Sequence, residues 1–255
     1  MNEDAMTRPR PSATTAPSPA KSRRRFIART GQASLLVLAW PGLAAAEPRS
    51  AGRLPAVPYY SSRSDLDCTL AAARMILGAL EPDQHFPLED VKDMVFNRPG
   101  RWVFEAQIIP ILEQKGYRVR LYATTAYPEL AAGKGFSRYG PEAGERIDRE
   151  ALAWAAARLT PKNFAPGEPE LRAAIAWLEQ GDLIMISAQR AALRNNPALP
   201  YCRYNLALIG SEQTKVFYHD PGAGPGRSGS LKFMDRVFTE NAPDRAVLRV
   251  GRTMK

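Results

Sequence analysis

The order of the periodic segments most constrains the fold of this chain, because helical patterns come first and strand patterns follow. The patterns predict helices over residues 69–80, 88–96, 105–115, 147–159, 169–180 and 231–239. They predict strands over residues 117–122, 182–188, 203–210, 215–220 and 246–250, with a hairpin turn at 211–214. We expect a loop over 189–201 and a glycine-rich turn over 222–229, and the least regular part is 123–166. Helices first and antiparallel strands later indicate an α+β domain.

Cys68 stands at the start of the first predicted helix. It follows an extended aromatic segment, Val57-Pro58-Tyr59-Tyr60, and a polar turn over residues 61–67. A thiol at a helix N-terminus lies near the positive end of the helix dipole and near unpaired backbone N–H groups, which favour the thiolate. A cysteine nucleophile needs this placement. The alternative is a small apolar residue in the first turn of a buried helix.

The first 46 residues have the pattern of an export signal. Ser22-Arg23-Arg24-Arg25-Phe26-Ile27 resembles the bacterial twin-arginine motif, and Ala44-Ala45-Ala46 before Glu47 is a small-residue cleavage pattern. The apolar stretch between them, residues 33–43, is too short to span a bilayer. We therefore expect an export signal over 1–46, a flexible lead-in over 47–56 and a folded domain over 57–255. The mature protein is expected to be periplasmic or secreted, without stable membrane insertion.

Charge and histidine content restrict the classes of ligand. Without residues 1–46 the formal net charge falls from +9 to +4, since 28 Lys and Arg and 24 Asp and Glu remain. That part of the sequence has no stripe of Lys and Arg interleaved with aromatic residues, which disfavours nucleic-acid binding. His85 and His219 are the two histidines, and no Cys/His cluster occurs. Neither a metal site nor a cofactor is therefore expected.

The sequence resembles the papain-like cysteine peptidases of the bacteriocin-processing, double-glycine type and their secreted relatives. The resemblance rests on a cysteine at a helix start after Val57-Pro58-Tyr59, a later helix-Gly-strand, a hairpin, and Asp220-Pro221 before a glycine-rich segment. It covers most of residues 55–250, but no single motif is complete. It implies a papain-like fold, with N-terminal helices packed on an antiparallel sheet.

The resemblance assigns four site positions, of which two keep the expected residue type. Cys68 matches the nucleophile, and Asp220 matches the acid that orients the catalytic histidine. The histidine position falls on Tyr204, six residues before Gly210, and the oxyanion-binding glutamine position falls on Ser62. Thr69 and Leu70 also replace the Gly and Pro that follow the family's cysteine.

These replacements predict a weakened or inactive site. The unperturbed pKa of tyrosine is near 10, so Tyr204 is a poor proton acceptor at neutral pH and cannot pair with a thiolate as a cation. Ser62 is short for an oxyanion donor. His219 directly precedes Asp220 on the same predicted strand and should face the opposite side of the sheet. His85 lies in a loop beyond the first helix.

The sequence leaves two alternatives for the bonding state of the cysteines and two for the function. Cys202 lies two residues before Tyr204, so a Cys68–Cys202 disulfide would occupy the catalytic position; the alternative is two buried free thiols. The favoured function is a non-catalytic relative that retains the cleft and binds a peptide or a peptidoglycan-like fragment. The alternative is an active cysteine peptidase with Cys68 as nucleophile. Tyr59, Tyr60 and Trp102 are candidates for lining the groove.

Overall fold

The computed structural model describes residues 56–64, 66–140, 142–199, 201–240 and 244–254. The expected export signal over 1–46 lies outside the described residues, as does the lead-in up to residue 55. The described helices are α1 (Cys68–Leu80), α2 (Leu88–Met94), α3 (Ile109–Gln114), α4 (Tyr127–Ala131), α5 (Ala143–Arg146), α6 (Arg149–Ala156), α7 (Leu171–Glu179), α8 (Arg190–Leu193) and α9 (Leu231–Thr239), with 3-10 turns at Glu105–Gln107 and Phe136–Tyr139. None of them is both long and apolar enough to cross a membrane.

The described strands form one seven-stranded sheet. They are β1 (Tyr117–Ala123), β2 (Phe164–Pro166), β3 (Leu183–Gln189), β4 (Arg203–Glu212), β5 (Lys215–Asp220), β6 (Gly224–Ser230) and β7 (Ala246–Met254). Their order across the sheet is β2-β1-β7-β3-β4-β5-β6, and all neighbours are antiparallel except the β1–β2 pair. The expected α+β architecture, with N-terminal helices and an antiparallel sheet, is confirmed for the described chain apart from that parallel edge.

Helix α1 is the buried helix on which the site is built. It begins at Cys68 as predicted, and its side chains from Leu70 to Ala73 are at most 1% exposed. It packs against β4 and β3. The extended segment before it crosses the helix at Gly78, where an added Cβ would lie 2.6 Å from Pro58 Cγ. The missing side chain at Gly78 therefore lets the aromatic segment lie directly on α1.

In three expected segments the structure has a different kind of element. The helix expected over 105–115 is divided into a 3-10 turn and α3, because Pro110 has no backbone donor and fits only the first turn of a new helix. The expected turn over 222–229 contains β6, which pairs with the outer edge of β5. The expected loop over 189–201 contains α8, whose N-terminus is capped by the Gln189 side chain accepting from Ala191 N–H over 2.7 Å.

Candidate functional site

The Cys68 side chain lies against the backbone of β4. Its Sγ donates to the carbonyl oxygen of Arg203 over 3.9 Å, and it accepts a backbone hydrogen bond from Asn205. The next residue of the helix reinforces the contact, since Asn205 Nδ2 donates to Thr69 Oγ1 over 2.8 Å. The start of α1 is thus tied to β4 on both sides of Tyr204, the residue at the expected histidine position.

Burial determines the ionisation of Cys68. The residue is 3% exposed, and its thiol pKa is raised to about 12. Burial is the main cause and the neighbouring Cys202 adds to it, while hydrogen bonds from Asn205 and Thr69 act in the opposite direction. The expectation that the helix N-terminus favours the thiolate is therefore wrong for this chain. The helix dipole and a few hydrogen bonds do not compensate for removing the sulfur from water.

Tyr204 and Asp220 are in direct contact. The Tyr204 hydroxyl donates to Asp220 Oδ1 over 3.0 Å, and the tyrosine is 2% exposed. Burial raises the pKa of the Tyr204 phenol, and the negative charges of Asp220 and of a Cys68 thiolate would raise it further. Tyr204 is thus a neutral hydrogen-bond donor, which cannot accept a proton from the thiol at neutral pH.

Asp220 is held by the arginine that directly follows α8 and by the backbone that follows β5. Arg194 forms a bidentate ion pair with it, in which Nη2 lies 2.9 Å from Oδ1 and Nη1 contacts Oδ2. The backbone N–H groups of Gly222 and Ala223 also donate to Oδ1, over 3.0 and 3.1 Å. Burial acts to raise the pKa of the Asp220 carboxyl, but Arg194, Tyr204 and the Gly222 N–H outweigh it and hold that pKa below its usual value.

The backbone of Ser62 contacts the residue that follows Asp220. Its N–H donates to the carbonyl oxygen of Pro221 over 2.9 Å, and the Tyr59 hydroxyl donates to the same oxygen over 3.1 Å. Among the described contacts, Ser62 is held by this hydrogen bond of its backbone N–H. Ser62 is not among the residues that line the cavity at Cys68. The role of Ser62 as an oxyanion donor remains a prediction from the sequence.

His219 has a structural position. It faces away from Asp220, as predicted, and its Nδ1 accepts from the Gly226 N–H over 3.0 Å. The Nε2 atom therefore carries the proton and donates to the Val57 carbonyl oxygen over 2.8 Å. With both ring nitrogens engaged, His219 joins β5 and β6 to the extended segment before α1. His85 is exposed in the loop after α1.

Both cysteines are free thiols, Cys68 buried and Cys202 partly exposed. Both sulfurs donate to the Arg203 carbonyl oxygen, Cys202 over 3.5 Å and Cys68 over 3.9 Å, so they are close neighbours without being bonded. Cys68 and Cys202 thus do not form a disulfide in this structure. Of the alternative expected from the sequence, two buried free thiols, only Cys68 is fully buried.

Two neighbouring concavities lie at the Cys68 end of α1. A cavity of about 30 Å³ lies beside the thiol, with room for about one water molecule. A groove of about 550 Å³ adjoins it and shares five of its lining residues. The residues that line both are Leu66, Trp102, Tyr139, Tyr201 and Cys202. Trp102 was expected at the groove from the sequence; the two tyrosines were not.

Two charged clusters that the sequence did not indicate support these walls. Arg203 forms a buried ion pair with Glu105 and donates to the Tyr127 hydroxyl over 3.1 Å. Burial lowers the pKa of the Arg203 guanidinium to about 10, which leaves it charged at neutral pH. Tyr139 and Tyr201 donate to the two carboxylate oxygens of Asp244. These contacts join residues far apart in sequence, so no local sequence pattern predicts them.

No protein-family model matches the chain, and no curated protein matches it either. Among solved structures, the chain is similar to a C39-like peptidase from Bacillus anthracis, with a TM-score of 0.47 and 9% identity over 78% of this chain and 96% of that chain. It is also similar to the peptidase domain of Streptococcus ComA, a bifunctional ABC transporter involved in quorum sensing, with a TM-score of 0.41 and 8% identity over 77% of this chain and 98% of that chain.

Proposed function

We propose that this chain is a papain-like cysteine peptidase relative without peptidase activity, which binds a peptide or a peptidoglycan-like fragment in the groove at Cys68. The observation that carries the proposal is the Tyr204–Asp220–Arg194 arrangement. The position of the expected base holds a neutral phenol, and the acid beside it is already neutralised by a guanidinium. The thiol they would have to activate has a pKa of about 12.

The groove supports the binding role. It combines aromatic and apolar walls with a few polar groups at its edges, as small-ligand and peptide sites do. Trp102, Tyr139 and Tyr201 present rings on which an apolar side chain or a sugar ring can pack. Tyr139 and Tyr201 are both held by hydrogen bonds to Asp244, so these two rings are positioned before a ligand arrives.

The experiment uses two ligand pools, a random octapeptide library and a mixture of peptidoglycan fragments, with mass spectrometry of bound and cleaved species. We expect no cleavage by the protein or by Cys68→Ser, and binding by both. Trp102→Ala should weaken binding, while Trp154→Ala, which removes a half-buried tryptophan outside the groove, should not. Cleavage that disappears in Cys68→Ser would contradict the proposal.

The alternative, an active cysteine peptidase, is favoured by one observation. Cys68 lies against β4 at Tyr204, and Tyr204 contacts Asp220, so the three positions keep the spatial order that the catalytic chemistry uses. The cleavage assay above decides between the two functions.

We also propose that the protein is exported by the twin-arginine route and processed before Glu47. N-terminal sequencing of protein from the periplasmic fraction should begin at Glu47. Conversion of Arg23 and Arg24 to Lys should leave the protein in the cytoplasm. A periplasmic protein that retains its first residues would contradict the proposed cleavage.

A further inference from the structure

A cluster of four cations lies on the outer face of β1 and β7, away from the residues that line the Cys68 groove. Arg118 and Arg120 project from the exposed face of β1, since the residues that alternate with them, among them Val119 and Leu121, are buried. The four cationic side chains surround a concavity of about 190 Å³; they are Arg118, Arg120, Lys162 and Arg249. No acidic residue lines this concavity. Four positive charges thus meet in one small depression.

The fold places two of these charges directly opposite each other. Arg120 on β1 is the cross-strand partner of Arg249 on β7. Like charges in directly opposite positions destabilise a sheet. Arg249 is also paired with Asp182, but Arg118, Arg120 and Lys162 have no carboxylate partner among the described ion pairs. Other exposed cations do have one in some cases, as in the Arg146–Glu142 and Arg236–Glu240 pairs.

The guanidinium groups are positioned by their neighbours. Arg120 lies over the Tyr122 ring at 5.4 Å and Arg249 lies over the Trp177 ring at 5.0 Å, and the two rings are stacked on each other at 4.6 Å. Arg118 lies across Gly251, its cross-strand partner, where an added Cβ would come within 3.1 Å of its Nε and Nη2. Side chains held in place before binding lose little conformational entropy when a ligand arrives.

From this juxtaposition we propose that Arg118, Arg120, Arg249 and Lys162 form a binding site for a phosphate group. Guanidinium groups match phosphate oxygens with paired N–H donors, and a lysine ammonium adds a point charge. An anion in the concavity relieves the repulsion between Arg120 and Arg249. No basic stripe is visible along the sequence, because the four cations come from β1, from β7 and from the loop before β2. This site is separate from the function proposed for the Cys68 groove.

The test is isothermal titration of the full-length protein with sodium pyrophosphate at constant ionic strength. Arg118→Gln combined with Arg120→Gln should weaken binding about tenfold or more, since charge-assisted hydrogen bonds are lost. Arg158→Gln is the matched control, because Arg158 is also an exposed arginine over an aromatic ring, that of Trp154, but lies outside the concavity. The control should bind pyrophosphate as the unchanged protein does. The double variant should unfold at the same or a higher temperature, which separates lost binding from misfolding.

A second arm identifies the source of the phosphate group. Vesicles of phosphatidylglycerol and of phosphatidylcholine are sedimented with the protein, with and without pyrophosphate. Displacement from phosphatidylglycerol by pyrophosphate would assign the site to a lipid headgroup phosphate, and pyrophosphate binding without vesicle binding would assign it to a free phosphate ligand. Absence of saturable pyrophosphate binding, or equal binding by the double variant, would overturn the proposal.

Discussion

Tyr204 donates a hydrogen bond to Asp220 over 3.0 Å, in the place where the resemblance to cysteine peptidases leads one to expect an imidazole. The contact joins β4 to β5 through a phenol and a carboxylate. The phenol donates a hydrogen bond to the carboxylate and has no basic atom to offer to the thiol. Arg194 neutralises the carboxylate. The result is an ordered polar cluster beside a protonated thiol.

The first prediction concerns the stability of this cluster. Tyr204→Phe should lower the free energy of unfolding by about 1 kcal/mol, because it removes one buried hydrogen bond while Arg194 and two backbone N–H groups still satisfy Asp220. Urea unfolding measures the change. Tyr218→Phe is the control, a buried tyrosine on β5 whose hydroxyl makes no described hydrogen bond. Equal effects of the two variants would mean that the Tyr204–Asp220 contact contributes nothing.

The second prediction follows from the lowered pKa of Asp220. A carboxyl whose pKa is lower in the folded than in the unfolded protein stabilises the fold above its unfolded pKa of about 3.9, and this contribution is lost as the pH falls through the folded pKa. Asp220→Asn should therefore be less stable than the unchanged protein at pH 7, and the difference should shrink below about pH 4. Unfolding at a series of pH values measures it, with the exposed Asp235→Asn as control. A difference that is constant with pH would contradict the lowered pKa.

A third prediction is that the two histidines contribute differently to the free energy of unfolding. His219→Ala should lower the free energy of unfolding by about 2–3 kcal/mol, because it leaves the buried Val57 carbonyl and the Gly226 N–H without their partner. His85→Ala should have little effect, since His85 is exposed in a loop. Thermal unfolding compares the two. A stable His219→Ala protein with altered thiol reactivity would instead make His219 part of the active chemistry.

The sequence was sufficient for the helix start at Cys68, for the β4–β5 hairpin and for the separation of His219 from Asp220, because each depends on local periodicity. It was not sufficient for the ionisation of Cys68, which is determined by burial against β4. Nor could it supply Arg194, which lies at the end of a short helix in an expected loop and meets Asp220 across 26 residues. Ion pairs of this separation leave no periodic signal. The glycine-rich β6 was missed because glycine is rare in strands.

A fourth prediction tests the assignment of position 204. Tyr204→His should place an imidazole beside Asp220 and near Cys68, and an imidazolium there favours the thiolate. The apparent pKa of Cys68 should therefore fall by at least about one unit from its high value. Tyr218→His is the matched control on the neighbouring strand and should leave it unchanged. The double variant Ser62→Gln with Tyr204→His is the one in which we expect any recovered peptidase activity. If Cys68 is unaffected by Tyr204→His, residue 204 does not occupy the histidine position.

The most direct test of the account is the rate of Cys68 alkylation by iodoacetamide as a function of pH, read peptide by peptide by mass spectrometry. The account predicts that Cys202, which is partly exposed, reacts first, and that Cys68 reacts slowly with a rate still rising at the highest pH at which the protein stays folded, consistent with a thiol pKa of about 12. Cys68→Ser and Cys202→Ser identify the two signals. A Cys68 that reacts rapidly at neutral pH, with an apparent pKa well below the value of about 8.5 for a free cysteine, would contradict the central claim and identify an activated nucleophile.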